Sequence, residues 1–287
     1  MDGRFLVGLI GANIGTSMSP ALHEREAGRH GVRYLYQLID PTLLGLDGRD
    51  IGELITAARR LGFRGLNITH PYKQDVVKHL DELSPEAALL GAVNTVLFDG
   101  ERATGHNTDR YGFAQGLARR LPDVATGHVV QVGAGGAGAA VASAIAGTGT
   151  RLLTLADLDS DRANRLARAI MRSSGTTVEV IAPADVSGRL RQADGLVNAT
   201  PLGMEGHPGM PVPADHLRPE MWVADVIYRP LETELIRAAR HRGCRVADGG
   251  GMVVYQAAAS FRLFTGLTPD EERMYADFEA LAGPRHA

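Results

Sequence analysis

Of the 30 basic residues in this 287-residue chain only two, Lys73 and Lys78, are lysines. Where positive charge serves solubility alone this chain uses arginine, so a lysine carries information. Lys73 follows the polar break NITHPY, and a partly buried lysine, unlike an arginine, can release its proton and act as acid and base. Asp109 is the natural second member of such a site, because a carboxylate near Lys73 and a reacting hydroxyl would hold both in place; capping the helix that follows is a compatible use. Four of the six asparagines, Asn67, Asn94, Asn107 and Asn198, stand at expected strand ends or polar breaks beside threonines. Amides and hydroxyls without an aromatic cage suit a small, hydroxyl-rich ligand, with turn formation as the competing use. Ser17 and Ser19 precede Pro20; Ser19 reads as a helix N-cap with Pro20 in the first turn, whereas Ser17 has no such local role. Tyr228, His23, His70 and His106 are further candidate proton carriers; each histidine sits beside a stronger candidate, and none pairs with a Ser/Asp constellation. No HExxH motif or carboxylate cluster argues for a metal.

Proton exchange at a hydroxyl is half of an alcohol oxidation, and the other half needs a hydride acceptor. The stretch VVQVGAGGAGAA, residues 129–140, runs a strand into Gly133, Gly135 and Gly138, spaced as GxGxxG, and then into an alanine-rich helix. In that motif the first glycine permits the turn, the second admits a pyrophosphate and the third lets helix pack close to strand. The second half of the fingerprint is an acidic residue about 20 positions on. RLLTLADLD supplies it, with Leu152, Leu153 and Leu155 in the strand and Asp157 at its end. A dinucleotide is the implied ligand.

The elements that must position these groups alternate between strand and helix. Residues 5–10 and 34–40 form strands, and Asp50 to Arg60 a helix with Ile51, Leu54, Ile55 and Ala58 on one face. A short strand through Leu66 and Ile68 ends at the polar break, and Val76, Val77 and Leu80 predict a helix after Lys73. VNTVLF, the turn pair Asp99-Gly100 and RATG predict a β-hairpin, followed by a helix from about Tyr111 to Arg120. Pro122 and the polar stretch to Gly127 lead into the dinucleotide unit. Its later strands are 177–182, the one ending at Asn198, and 222–228. A helix with Leu235, Ile236 and Ala239 inward and a short strand then precede the triple glycine 249–251. A helix beginning near Met252 and another from Pro269 to Ala282 are expected to return to the first domain. The expected fold class is α/β, with a Rossmann-type doubly wound parallel sheet (111–251), an α/β substrate domain (1–110 and 252–287), and a cleft between them.

A formal net charge of -3 gives no basic footprint, so neither nucleic acid nor a membrane surface is an expected partner. The single Cys244 cannot form an intrachain disulfide. The apolar run near the N-terminus lacks a basic leader and breaks at Gly11, Asn13 and Gly15, so it reads as a buried strand rather than a signal peptide. No segment approaches the ~18 apolar residues of a membrane helix, and a cytoplasmic setting is expected.

These motifs, taken together and in order, resemble the shikimate dehydrogenases, and within them the NAD-preferring quinate/shikimate dehydrogenases. SMSPALHE is similar to the family's substrate loop, NITHPYK to its lysine motif, and GAVNT and GHNTD to the next two. GAGGAG is similar to its cofactor loop and NATPLGM to the segment beside the nicotinamide; DVIY, GGGMVVYQAA and FTG complete a series that spans nearly the whole chain. The resemblance implies that Lys73 and Asp109 form the catalytic pair. It implies that Ser17, Ser19, Asn67, Thr69, Asn94, Tyr228 and Gln256 bind a cyclic polyol carboxylate. Cofactor contacts would come from Gly133, Ala134, Gly135, Gly136, Ala137, Gly138, Asp157 and Leu158, and on the nicotinamide side from Asn198, Ala199, Thr200, Pro201, Met204, Val226, Gly249, Gly251 and Met252.

The resemblance breaks at one informative place. NADP-using members carry Asn-Arg-Thr after the second cofactor strand, and the arginine grips the 2′-phosphate; here those positions are Asp157, Leu158 and Asp159. Two carboxylates repel that phosphate, whereas Asp157 can accept hydrogen bonds from free ribose hydroxyls. Arg162 faces both carboxylates and reads as a helix-surface charge. NAD is therefore the expected cofactor. Ser17 and Ser19 fit shikimate, and quinate-preferring members often have threonine at the second position; the FRLFTG ending and Tyr255 lean toward quinate. The activity implied is reversible oxidation of shikimate, quinate or both, by a monomer or homodimer. The alternatives are a dehydrogenase of an amino-substituted or otherwise modified ring acid, and a catalytically silent cofactor sensor.

Overall fold

Short apolar runs punctuated by glycine and polar turns produce twelve strands and ten α-helices among the described residues. The computed structural model describes residues 3–46 and 51–283. They divide into two units, residues 3–108 with 256–283, and residues 109–255.

The first unit contains β1 (Arg4–Ile10), α1 (Ser19–Arg29), β2 (Arg33–Ile39), α2 (Ile51–Arg60), β3 (Gly65–Ile68), β4 (Glu82–Leu83), α3 (Pro85–Leu90), β5 (Thr95–Asp99) and β6 (Arg102–His106). Its strands lie in the order β2-β1-β3-β5-β6-β4. β1, β2 and β3 are parallel, and β5 runs antiparallel to both β3 and β6. Period-two alternation in β1 sends Val7 and Leu9 to one face with Tyr36 and Phe264. Ile10 goes to the other face, with Leu66, Ile68, Val96 and the α2 residues Ile51, Ile55 and Ala58. Asp50, expected to open α2, lies outside the described residues.

Several local expectations for this unit give way. The helix expected over Val76, Val77 and Leu80 is a single 3-10 turn, Asp75–His79, after which Leu80 is already extended. Two adjacent β-branched residues disfavour an α-helix, and the chain must reach β4 within a few residues. Ser84 caps α3 by accepting from the Ala87 amide at 3.2 Å, with Pro85 at the first helical position. The hairpin turn is displaced by one residue, since Asp99 still pairs with Arg102 and the two-residue turn is Gly100-Glu101.

The second unit contains α4 (Asp109–Arg120), β7 (His128–Val132), α5 (Gly136–Ala146), β8 (Leu152–Ala156), α6 (Ser160–Ser173), β9 (Thr177–Ile181), α7 (Val186–Leu190), β10 (Gly195–Asn198), β11 (Trp222–Asp225), α8 (Glu234–His241) and β12 (Arg245–Ala247). All six strands are parallel, in the order β12-β11-β10-β7-β8-β9. That is the doubly wound pattern, in which the order reverses between the first and fourth strands and leaves a ligand crevice at their carboxyl ends. Val130, Ala156, Leu196, Val223, Leu235 and Ala239 pack one face of this sheet. β11 stops at Asp225 rather than running to residue 228, because the Asp225 side chain accepts the Ile227 amide at 3.1 Å and turns the chain out of the sheet. α9 (Gly250–Thr265) begins two residues before Met252, and α10 (Glu271–Ala282) is capped by Asp270. No described helix is long and apolar enough to cross a membrane.

Candidate functional site

In the second unit the candidate cofactor residues gather at the carboxyl ends of β7, β8, β10 and β11. Gly133 leaves β7 with φ of 102°, and a Cβ there would stand 2.5 Å from the Ala199 carbonyl oxygen. A Cβ on Gly138 would stand 2.3 Å from the Gly133 carbonyl oxygen. Both glycines are thus required by close approach of backbone to backbone. Gly135 differs, because a Cβ built on it meets no atom within 4 Å. The open space lies where α5 begins, beside the half-exposed Gly136 and Ala137. The first intrahelical bond is Ala139 N–H to Gly135 O at 2.8 Å, so the amides of 136–138 have no acceptor within the helix. The first turn carries no acidic residue. Donors, dipole and open volume fit a pyrophosphate.

Gln131 is a residue that sequence reasoning missed. Its side-chain amide donates to the Gly133 and Gly138 carbonyls, both at 2.8 Å, and ties the two ends of the loop together. The signal was present as a fully buried polar residue inside the apolar run VVQV.

Asp157 is more committed than an open ribose acceptor would be. Its Oδ2 accepts from the Ala134 amide at 2.6 Å, and its Oδ1 from the Asp159 amide at 2.8 Å and from Arg162 Nη2 at 2.6 Å. One lone-pair direction on Oδ2 is left for a ribose hydroxyl. Arg162 is therefore the ion-pair partner of Asp157 rather than a plain surface charge. Asp159 caps α6 through the Arg162 amide at 2.9 Å, and this bond holds its carboxyl below the usual range. Leu158 is 94% exposed. On the opposite side of the switch point, Asn198 Oδ1 accepts from the Thr200 amide and hydroxyl at 3.1 and 2.7 Å, and Asn198 Nδ2 donates to the Leu202 carbonyl at 3.0 Å. These bonds shape the 198–204 loop. Ala199 and Thr200 are half-buried within it, Pro201 and Met204 exposed. Val226 and Tyr228 are half-buried past the end of β11, and Gly249, Gly251 and Met252 are buried around the start of α9.

In the first unit the candidate substrate residues gather at one end of the sheet, at the carboxyl ends of β1, β3 and β6 and the amino end of the antiparallel β5. Residues 92–94 are the strut. The Val93 amide donates to the Lys73 carbonyl at 2.8 Å, Asn107 Nδ2 to the Ala92 carbonyl at 2.9 Å, and Asn94 Nδ2 to Thr108 Oγ1 at 2.8 Å. The Thr108 amide returns a bond to Asn94 Oδ1 at 2.8 Å. Lys73 and the residue immediately before Asp109 are therefore anchored to the same three-residue segment. Asn67 Nδ2 reaches the Asn94 carbonyl and Thr95 Oγ1, and its Oδ1 accepts from the Tyr36 hydroxyl at 2.8 Å. The Thr69 amide is fixed to the Ile10 carbonyl at 2.9 Å. Lys73, Thr69 and Gln256 are half-buried, while Asp109, the first residue of α4, is 3% exposed.

Three expectations about side chains change. Met18, not Ser19, is the N-cap of α1; Ser19 is the first helical residue and Pro20 the second. Ser17 does have a local role, because its Oγ accepts from the Ser19 amide at 3.3 Å. His23 is a core histidine rather than a proton carrier. It is fully buried against Tyr34, Tyr36, Phe261 and Phe264, and burial pushes its pKa down to about 3. Burial also lowers His106. Among the described residues no group of three His, Cys, Asp or Glu is arranged to hold a metal.

The doubly wound sheet and its glycine loop define the class, an α/β dinucleotide-binding oxidoreductase. Residues 9–96 match the shikimate dehydrogenase substrate binding domain, and residues 249–276 the shikimate 5′-dehydrogenase C-terminal domain. The shikimate dehydrogenase (NADP(+)) of Streptomyces avermitilis is 57% identical over 280 residues, 97% of this chain and 96% of that protein. The quinate/shikimate dehydrogenase (NAD(+)) of Corynebacterium efficiens is 51% identical over 279 residues, 96% of this chain and 98% of that protein. The structure of quinate dehydrogenase from Corynebacterium glutamicum in complex with NAD superposes with a TM-score of 0.88 at 46% identity, covering 96% of this chain and 98% of that one. This chain belongs to the shikimate dehydrogenase family.

Proposed function

We propose that this protein is an NAD-dependent quinate/shikimate dehydrogenase that reversibly oxidises shikimate to 3-dehydroshikimate, quinate to 3-dehydroquinate, or both. The observation that carries the cofactor choice is Asp157. A 2′-phosphate on the ribose would meet a buried carboxylate with a single free acceptor direction and no donor. The cation beside it, Arg162, already donates Nη2 to Asp157 at 2.6 Å, so its charge is matched by a carboxylate before any phosphate arrives. A dinucleotide with a free 2′-hydroxyl needs only the remaining lone pair.

The nicotinamide supplies the hydride acceptor when bound. The rest of the chemistry falls to this chain. Lys73 Nζ takes the hydroxyl proton as the carbinol carbon loses hydride and becomes a carbonyl, and returns it in the reverse direction; Asp109 orients the lysine and the substrate hydroxyl. Ser17, Ser19, Asn67, Thr69, Asn94, Tyr228 and Gln256 bind the ring hydroxyls and carboxylate. The strut at 92–94 supports this assignment, since it is bonded both to the Lys73 carbonyl and to Thr108, the residue before Asp109.

Initial rates crossing shikimate and quinate with NAD and NADP test the reading. Turnover with NAD at a kcat/KM at least tenfold above that with NADP is expected. Comparable Michaelis constants for the two cofactors overturn the preference, and Lys73→Ala retaining most of its turnover overturns the mechanism.

A further inference from the structure

Asp225 is a buried carboxylate for which the proposed chemistry has no use. It ends β11 with 2% exposure and faces donors from three directions. Asn198 Nδ2 reaches its Oδ1 from the end of β10 at 3.1 Å. The Ile227 amide reaches the same oxygen at 3.1 Å from the turn that follows. The Thr233 hydroxyl donates to Oδ2 at 2.8 Å, and Thr233 Oγ1 also accepts the Ile236 amide at 3.2 Å as the N-cap of α8. The set extends outward from Asn198 through Thr200 and Leu202, whose amide donates to Thr200 Oγ1 at 3.1 Å. From Ile227 it extends through the carbonyl, which accepts the Gly249 amide at 3.2 Å. Asp248 fixes the next residue, accepting the Gly250 amide at 3.0 Å. Segments 198–202 and 226–228 are thus joined directly through the Asp225 carboxylate, and 249–250 is attached at one remove, through the Ile227 carbonyl and Asp248. Those segments carry the residues assigned to the nicotinamide side of the cofactor, whereas Asp225 makes no hydrogen bond to the glycine loop or Asp157, and the link between the two sides is the sheet bond from the Ala199 amide to the Val132 carbonyl at 2.7 Å.

We propose that Asp225 is the positioning residue for the nicotinamide half of the cofactor, holding the 198–204 loop and the 226–228 turn in one arrangement while leaving the adenosine half untouched. This rests on the cofactor reading above. The three donors all require an acceptor, so the ionised carboxylate is the form that completes the network. Burial pushes the Asp225 carboxyl up to about 6, against the bonds from Ile227, Thr233 and Asn198, and the charge of Asp248 pushes in the same direction as burial. Asp248 is itself raised by burial, with Arg120 and Arg240 opposing and Glu232 reinforcing. Protonation of Asp225 places a donor among donors, and the network loosens below about pH 6.

The test compares binding of NADH with binding of ADP-ribose, which lacks the nicotinamide, to the full chain and to Asp225→Ala and Asp225→Asn. Asp225→Ala is expected to weaken NADH at least tenfold and ADP-ribose less than twofold. Asp225→Asn, which keeps the shape and one acceptor oxygen, holds the fold if the alanine variant does not, and separates the role by pH. Wild-type affinity for NADH falls as pH drops from 7 to 5 while ADP-ribose is unchanged, and in Asp225→Asn the NADH profile is flat over that range. Equal losses for both ligands, no loss for either, or the same pH profile in wild type and Asp225→Asn overturns the inference. A wild-type protein that binds neither ligand fails differently, because it removes the cofactor reading itself and the inference with it.

Discussion

Two glycines three residues apart in the cofactor loop separate packing from ligand space, and alanine at each should expose the difference. At Gly138 the new methyl would sit 2.3 Å from the Gly133 carbonyl oxygen and 2.9 Å from its carbon, both backbone atoms that Gln131 holds in place. Relief requires α5 to move off β7. Overpacking of this kind costs about 1–3 kcal/mol, partly offset by the better helix propensity of alanine, up to ~1 kcal/mol. A net loss of about 1–2 kcal/mol lowers Tm by roughly 2–8 °C in a protein of this size class. At Gly135 the methyl meets nothing within 4 Å and φ is -70°, a value alanine adopts freely. Loss of a tolerated N-cap glycine costs at most about 1 kcal/mol, or roughly 2–4 °C. The methyl does, however, fill the space left for a pyrophosphate. Holding the phosphate off the 136–138 amides should remove about 1.5–3 kcal/mol of binding, which is about a 10- to 100-fold weaker Kd for NADH. Thermal unfolding and NADH titration on the same three proteins supply both readings. The reasoning is refuted if Gly135→Ala binds NADH like wild type, or if Gly138→Ala melts at the wild-type temperature.

Other outcomes follow from side chains outside the reacting groups. Gln131→Leu removes two hydrogen bonds at 2.8 Å that brace the glycine loop, and should raise the KM for NAD several-fold with kcat changed less than twofold; an unchanged KM would show that the loop holds its shape without the clamp. Glu26, fully buried in α1, clasps α10 by accepting from Arg273 Nη2 and the Asp270 amide, both at 2.9 Å. Burial pushes its carboxyl up, but Arg273, the Asp270 amide and His30 together bring it below its ordinary 4.5. A depressed folded-state pKa gives stability that is present above the unfolded value and lost as pH falls through the folded one. Arg273→Ala should therefore lower stability at pH 7, by an amount limited by the exposure of the arginine and the remaining His30 and Arg29 contacts. The gap should narrow as pH falls below the ordinary 4.5, and chemical denaturation that gives the same gap at pH 7 and in acid, short of unfolding, would contradict it.

The parallel sheet of the second unit was legible because buried parallel strands are continuous apolar runs ended by glycine or a polar residue, and each carries its own boundary in sequence. β11 was overextended because VADVIY reads as one apolar run with an aspartate in it. Only the structure shows that the aspartate carboxylate captures the Ile227 amide and ends the strand. The turn after Lys73 failed for a related reason, since Val76, Val77 and Leu80 have helical spacing but too little chain before β4. SPEAALL carries the signature of α3 openly, with a capping serine and a first-turn proline ahead of its apolar residues. At the site, residue types pointed to Lys73, Asp109 and the asparagines, but not to what each asparagine touches. Asn67 and Asn94 are knotted to Tyr36, Thr95 and Thr108, pairings between residues up to 31 positions apart that spacing cannot reveal.

The cofactor position poses the sharper problem of two relatives similar to this chain at 57% and 51% identity whose names carry different dinucleotides. Overall identity cannot decide between them, so the choice must rest on a few side chains, and Asp157 is bound into more than the ligand. Its Oδ2 holds the Ala134 amide in the glycine loop, its Oδ1 holds the start of α6 through the Asp159 amide, and its charge is matched by Arg162. A carboxylate so engaged is held in place, because turning it away unpairs the Ala134 and Asp159 amides and the Arg162 guanidinium together. On the proposed reading, cofactor choice at this position is therefore coupled to the shape of the glycine loop. Replacing Asp157 alone would then be expected to weaken any preference for NAD and to loosen Ala134 at the same time. Recovering tight NADP binding would require a new acceptor for the Ala134 amide as well as a cation for the phosphate.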